Sequence, residues 1–228
     1  MDELITRPAV TLRDLRADGT DGDALLAVGE LHEELLPFGP LAALGADFLR
    51  VVCYRAPIRA GLLSVALAEV DGVPAGFVAW TADSQRFHAE ALRAHLALAA
   101  WRGAVALVRD PRRVAAVPRI LRVLRSRTGD DEDRSTYGEV IGIAVRPQFV
   151  SGPFRRRSGR WLSRDLVAHA AAALHAEGRD RLRMFVAAEN TRTLLLYKVL
   201  GATFRRVEHG GEPTMAVTFA LPFGTGGG

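Results

Sequence analysis

Cysteine is nearly missing: Cys53 stands alone among 228 residues, so no intrachain disulfide can form and no cysteine-based zinc site can be assembled. Lysine is as scarce. Lys198 is the single lysine among 30 basic residues, so arginine carries the net charge of +4. Beside the abundant Ala and Gly, this usage points to a GC-rich bacterial genome more than to a polyanion-binding surface, despite a pI near 9.9. Long apolar runs are also lacking. The most apolar stretch, residues 94–108, is interrupted by Arg102 and falls short of the about 20 residues that cross a bilayer. The opening Met1-Asp2-Glu3-Leu4 has neither the basic nor the apolar region of a secretory signal. A cytoplasmic protein in a reducing compartment is the expectation.

Several chemistries are excluded by missing motifs. No P-loop, HExxH or GxSxG is present, and His169 and His175 do not form the i, i+4 pair of a zinc-protease helix. No internal repeat and no Gly-Ser or Pro-rich linker divides the chain.

What is there reads as alternating strands and helices. Residues 10–15 alternate as a short strand, and Thr20 followed by Asp23 offers a helix N-cap. Leu25, Val28, Leu31, Leu35 and Leu36 recur at helical spacing until Pro37. A second helix is expected over 41–55, with Pro57 as its stop and Cys53 as a small buried hydrophobe on its apolar face. Residues 63–70 and 75–81 are strands joined by Asp71-Gly72, the strongest short-range hairpin signal. Tyr137 to Val145 is apolar on both faces and should be a central strand. A helix from Trp161 or Leu162 to Glu177, a buried strand over 182–187, a helix capped by Asn190 and ending at Gly201, and a hairpin across His209-Gly210-Gly211 complete the chain.

Between the third and fourth strands lies an insertion over 84–134: residues 84–127 turn helical and basic, and an acidic connection over 128–135, expected to be mobile, leads back to the sheet. This segment reads as a solvated insertion, or as a lid over an acidic, phosphorylated or membrane-associated substrate, which leaves room for peripheral membrane contact. It has no nucleic-acid reader motif or interleaved aromatics, so no nucleic-acid partner is expected.

The order of elements has two carriers of a resemblance. One is Glu139-Val140-Ile141-Gly142-Ile143-Ala144-Val145-Arg146-Pro147; the other is Ala188-Glu189-Asn190 through Tyr197 and Gly201 to Phe204. Together they resemble the central strand and the "N...Y...GF" ending of the GNAT superfamily of N-acetyltransferases, over residues 10–221 apart from the insertion. The resemblance implies an α/β (α+β) fold: a mixed, mostly antiparallel twisted sheet flanked by helices, in one domain over residues 1–223 with a flexible tail at 224–228. It implies transfer of an acetyl or other acyl group from acyl-coenzyme A to a primary amine of a small molecule, amino sugar or peptide; a homodimer is left open, since the sequence does not fix the oligomeric state.

The same resemblance assigns residues. Backbone at Ile143, Ala144 and Val145 would pair with the pantetheine arm like an added strand. Arg155, Arg156, Arg157, Ser158, Gly159, Arg160, Trp161 and Ser163 would form the diphosphate loop, and Asn190 would contact the arm or cap its helix. Family members use RxxGxG or RxxGxA at that loop; here Trp161 occupies a position for a small residue, and residues 148–154 are additional. Glu139 corresponds to the general base and Tyr197 to the acid that protonates the departing thiolate. His32, Trp80 and Tyr137 are expected to border the acceptor. The alternatives are a noncatalytic protein that keeps the scaffold with a degenerate cofactor site, or an acyltransferase that uses a carrier-protein thioester.

Overall fold

The computed structural model describes residues 7–16, 21–37, 41–93, 96–109, 137–209 and 212–222. Its frame is a seven-stranded sheet in the order β1-β2-β3-β4-β5-β7-β6. The strands are β1 Val10–Asp14, β2 Ser64–Val70, β3 Val73–Thr81, β4 Tyr137–Val145, β5 Arg181–Ala187, β6 Thr203–His209 and β7 Glu212–Ala220. Only β4 and β5 run parallel; every other neighbouring pair is antiparallel. The β2–β3 turn is the one the dipeptide demands: Asp71 and Gly72 have φ of 52° and 77°, the doubly positive geometry of a type I′ turn.

Helices cover both faces. On one, α7 (Leu162–Ala176) buries Leu162, Leu166, Val167, Ala170, Ala171 and Leu174 completely against β3, β4 and β5. Their spacing at three and four residues gives the helix one apolar stripe. On the other, α1 (Gly22–Leu35) lays Leu25, Val28 and Leu31 against Val65, Leu67 and Phe77. Between β5 and β6 lies α8 (Thr191–Val199). The basic segment begins as α4 (Ser84–Arg93) and α5 (Leu96–Arg109). The Arg-rich half of that segment and the acidic connection lie outside the described residues. No described helix is long and apolar enough to cross a membrane.

Two local expectations fail for identifiable reasons. Thr20 lies outside the described residues, and the N-cap position is held by Asp21, whose carboxylate does not cap the helix. It instead accepts from Arg13 Nη1 at 2.6 Å and from the Arg16 amide at 2.8 Å, tying β1 to the start of α1. The second helix is not one regular α-helix: a 3-10 turn at Ala42–Leu44 leads into α2 (Ala46–Phe48), a π-helical stretch at Leu49–Arg55 and α3 (Ala56–Arg59). Pro57 therefore does not stop it. The π-helical stretch ends just ahead of it, with the Ala56 amide bonded to the Val51 carbonyl, and Pro57 falls in the first turn of α3, where a missing N–H is tolerated.

The sheet's geometry at its centre depends on close backbone approach. A Cβ on Gly76 would lie 2.6 Å from the Ala144 carbonyl oxygen and 3.0 Å from Val145 Cα. Main-chain atoms cannot rotate away, so Gly76→Ala should destabilise the protein by about 1 to 3 kcal/mol, as overpacked cores do. Chemical denaturation of the purified variant measures this. An unchanged midpoint would mean that β3 and β4 are less tightly apposed than described.

Candidate functional site

The middle of the sheet carries an irregularity that shapes everything around it. Ala79 pairs with Gly142 but Trp80 pairs with Val140, so Ile141 is an extra residue on β4, a bulge that bends the strand. On its other edge β4 pairs with β5 only over Tyr137–Val140 and Arg181–Met184. Beyond the bulge the two strands part, and residues 141–145 of β4 hold a partner on the β3 side alone. A fork between parallel strands results, with Ile143, Ala144 and Val145 along one prong.

Glu139 sits at the base of that fork. It is 3% exposed, and its two carboxylate oxygens are divided between two side chains: Oε2 accepts from Arg183 Nη2 at 3.0 Å, and Oε1 lies 3.3 Å from His88 Nε2 on α4. Burial by itself would raise the carboxyl pKa, but the hydrogen bonds and charges of His88 and Arg183 outweigh it and hold Glu139 below its ordinary value. The group is therefore a carboxylate at neutral pH. His88 keeps 42% of its side chain exposed, so the pair reaches from the buried strand to solvent.

Tyr137 and the β5 arginines extend the same face. The Tyr137 hydroxyl accepts from Arg181 Nη1 at 3.0 Å, and both Arg181 and Arg183 lie over its ring, 5.5 and 5.2 Å from the centroid. His32, on α1, also faces this side of the sheet, stacked on Phe77. The Tyr54 hydroxyl and His32 Nδ1 share a short hydrogen bond; burial lowers the imidazole to about 4, so it is neutral. Burial also pushes the Cys53 thiol up to about 12, which suits an inert packing role.

The His32 shift fixes a sign for stability against pH. An imidazole depressed in the folded state charges first in the unfolded chain, so stability falls as pH drops from 6.5 toward 4. Glu139, also depressed, adds loss in the same direction below its unfolded value of 4.5. Thermal melts between pH 7 and 4 should show a steady decrease, and His32→Gln should flatten its upper part.

Trp80 is not on this face. It is 3% exposed beneath α7, its ring edge-on to His169 at 5.7 Å, because Trp80 pairs with Val140 rather than with Glu139. Tyr197, on α8, is also on the α7 side, 3% exposed with its ring edge-on to Phe219 at 5.8 Å. Burial raises its phenol well above the usual value, so it stays protonated.

Residues 148–154 form a 3-10 turn at Pro147–Phe149 and the start of a short helix, α6 (Gly152–Ser158), anchored by buried Phe154 against Phe149. Gly159 then takes a φ of 67°, and Trp161 becomes the N-cap position of α7. The Ser158 hydroxyl donates to the Phe154 carbonyl at 2.8 Å and accepts from the Arg160 amide at 3.1 Å. Arg155 lies over the Trp161 ring at 4.2 Å, and Arg160 pairs with Asp165 at 2.8 Å. Arg156 and Arg157 are exposed, and Ser163 is half-buried in the first turn of α7. Arg155 and Arg160 therefore lie beside the N-terminus of α7, whose first amides have no intrahelical partner. Asn190 does cap α8, accepting from the Thr193 amide at 3.3 Å.

No family model matches the chain, and no curated protein matches its sequence. Solved structures do. A GNAT-family protein from Desulfovibrio desulfuricans matches with a TM-score of 0.52 at 15% identity, over 93% of this chain and 99% of that one. An aminoglycoside acetyltransferase in complex with coenzyme A matches with a TM-score of 0.53 at 14% identity, over 93% and 95%. A Salmonella typhimurium protein solved with its cofactor acetyl-CoA matches with a TM-score of 0.50 at 14% identity, over 95% and 96%. The chain has the GNAT fold.

Within that GNAT fold, His88, Arg181 and Arg183 were not legible as site residues in the sequence. For β5 a signal existed: Arg181 and Arg183 alternate with Leu182 and Met184, the period of a strand with one polar face. For His88 there was none, since only the tertiary packing of α4 brings it to Glu139.

Proposed function

We propose that this protein transfers an acyl group from acyl-coenzyme A to a primary amine. The observation that carries the reading is the fork: β4 and β5 part at a bulge, leaving strand edge for an extended arm, with a buried carboxylate at its base and arginines at a helix N-terminus beyond its open end. These residues suit such a ligand. The edge of residues 141–145 would hold the pantetheine arm by main-chain pairing. Arg155, Arg156, Arg157, Arg160 and the first amides of α7, near Ser163, would hold the diphosphate. For Arg155 this means leaving the Trp161 ring, a loss of about 0.5 to 1 kcal/mol at an exposed site, small against a charge-assisted phosphate contact of about 1.5 to 3 kcal/mol.

Acyl-coenzyme A supplies the thioester carbon. The amine arrives as an ammonium and must lose a proton before it can attack; the Glu139–His88 pair takes that proton and passes it to solvent through exposed His88. As the C–N bond forms and the C–S bond breaks, the Tyr197 hydroxyl gives its proton to the departing thiolate.

A thermal-shift titration tests the reading. Acetyl-coenzyme A at 100 times its dissociation constant should add about 2.7 kcal/mol of stability, a rise of roughly 5 to 10 °C for a chain of this size. No shift with acetyl or longer acyl derivatives would count against the proposal. A shift without turnover on any amine would favour the noncatalytic alternative.

A further inference from the structure

Beside Glu139, on the same face of the sheet, lies a cavity of about 200 Å³ bounded by β4, β5, β6 and β7. Arg181, Arg183, Arg205, Thr203, Thr218 and Tyr137 line it, and none of the described lining residues is a carboxylate. We propose that this cavity binds an anionic group, carboxylate or phosphate, carried by the acceptor amine itself. The proposal rests on the acyl-transfer reading and names the substrate class for it.

Registration across the sheet places the cavity in line with the reaction centre. Glu139 pairs with Arg183, Arg183 with Thr218, and Thr218 with Thr203, and residues directly opposite one another across a sheet project to the same face. Neighbouring strands lie about 4.8 Å apart, so the row runs from Glu139 to Thr218 over roughly 10 Å and to Thr203 over roughly 14 Å. An amine at the Glu139–His88 pair and an anion between Arg181 and Arg205 are therefore ends of one short molecule. Guanidinium groups suit the anion because their planar donors engage two oxygens of a carboxylate or phosphate at once. The two threonine hydroxyls add donors within the same cavity.

This is not the diphosphate locus. The cavity meets β4 at Tyr137, while the arginines of α6 follow Val145 at the other end of the strand; those residues are about 26 Å apart along an extended chain. The fork lies between them, so the two anions would approach the bulge from opposite sides.

Steady-state kinetics on the full chain with acetyl-coenzyme A tests this, comparing ω-amino carboxylates and aminoalkyl phosphates with uncharged amines of equal length. The anionic series should exceed the neutral series in kcat/KM by about 10- to 100-fold, the worth of one charged hydrogen-bonded contact. The better of the two anions identifies the group. Arg205→Gln, at an exposed position, should erase that preference while leaving neutral amines and the acetyl-coenzyme A thermal shift unchanged, and Arg205→Lys should keep part of it because the charge remains. Equal kcat/KM for anionic and neutral amines, or a preference that survives Arg205→Gln in full, overturns the proposal. If acetyl-coenzyme A itself gives no shift, the acyl-transfer reading has failed instead. The cavity is then judged by inorganic phosphate: a phosphate-induced shift lost in Arg205→Gln supports it, and no shift removes it.

Discussion

Replacing Glu139 by Gln should cost the fold about 3 to 5 kcal/mol and reduce turnover by about 100- to 10,000-fold. The stability loss comes from Arg183. Its guanidinium is 3% exposed and faces a carboxylate that is itself 5% exposed, and removing one partner of a buried pair leaves the other charge desolvated without compensation. The amide of Gln keeps the shape and one acceptor but not the charge. A second substitution separates this structural part from the chemical one. Glu139→Gln with Arg183→Met removes both charges, and buried pairs replaced by apolar groups are often neutral or stabilising, so the double variant should recover most of the lost stability. Its activity should not recover, since proton removal from the ammonium depends on Glu139 and His88. Denaturation midpoints and single-turnover rates of the three proteins check both halves. Equal activity in the double variant and the parent protein would assign Glu139 to structure alone.

That double role explains why Glu139 is hard to read from sequence. A carboxylate opening an apolar strand is consistent with a solvated mouth or with catalysis, and the residue that decides, Arg183, lies more than forty positions away on a strand taken as simply buried. What local chemistry dictates was legible: Asp71-Gly72 admits few geometries, Tyr137–Val145 has the β-branched and apolar content of an interior strand, and the stripe of α7 follows from its 3.6-residue period. The π-helical stretch before Pro57, the bulge at Ile141 and the face on which Trp80 lies were not, because each depends on register or on packing against a partner strand. The loop around Trp161 is intermediate. Its unusual composition was plain, but the contact between Arg155 and the indole ring exists only because α6 folds residues 148–158 back toward the start of α7.

Tyr197→Phe is the sharper test of the chemistry, because its structural cost is small. The ring sits edge-on to Phe219 inside the main core, and Phe fills the same volume, so the change should stay within about 1.5 kcal/mol, the net worth of a hydroxyl's hydrogen bond. Turnover should fall by about 100- to 10,000-fold if the hydroxyl protonates the leaving thiolate. Burial raises the phenol pKa, so no loss of activity from Tyr197 ionisation is expected on the alkaline side below its ordinary value near 10. The deficit should also depend on the leaving group. A thioester whose thiol is more acidic needs less help from an acid, so the variant should regain more activity with an activated aryl thioester than the parent gains. A uniform loss across leaving groups, or a full rate with acetyl-coenzyme A, would return Tyr197 to the core as a packing residue.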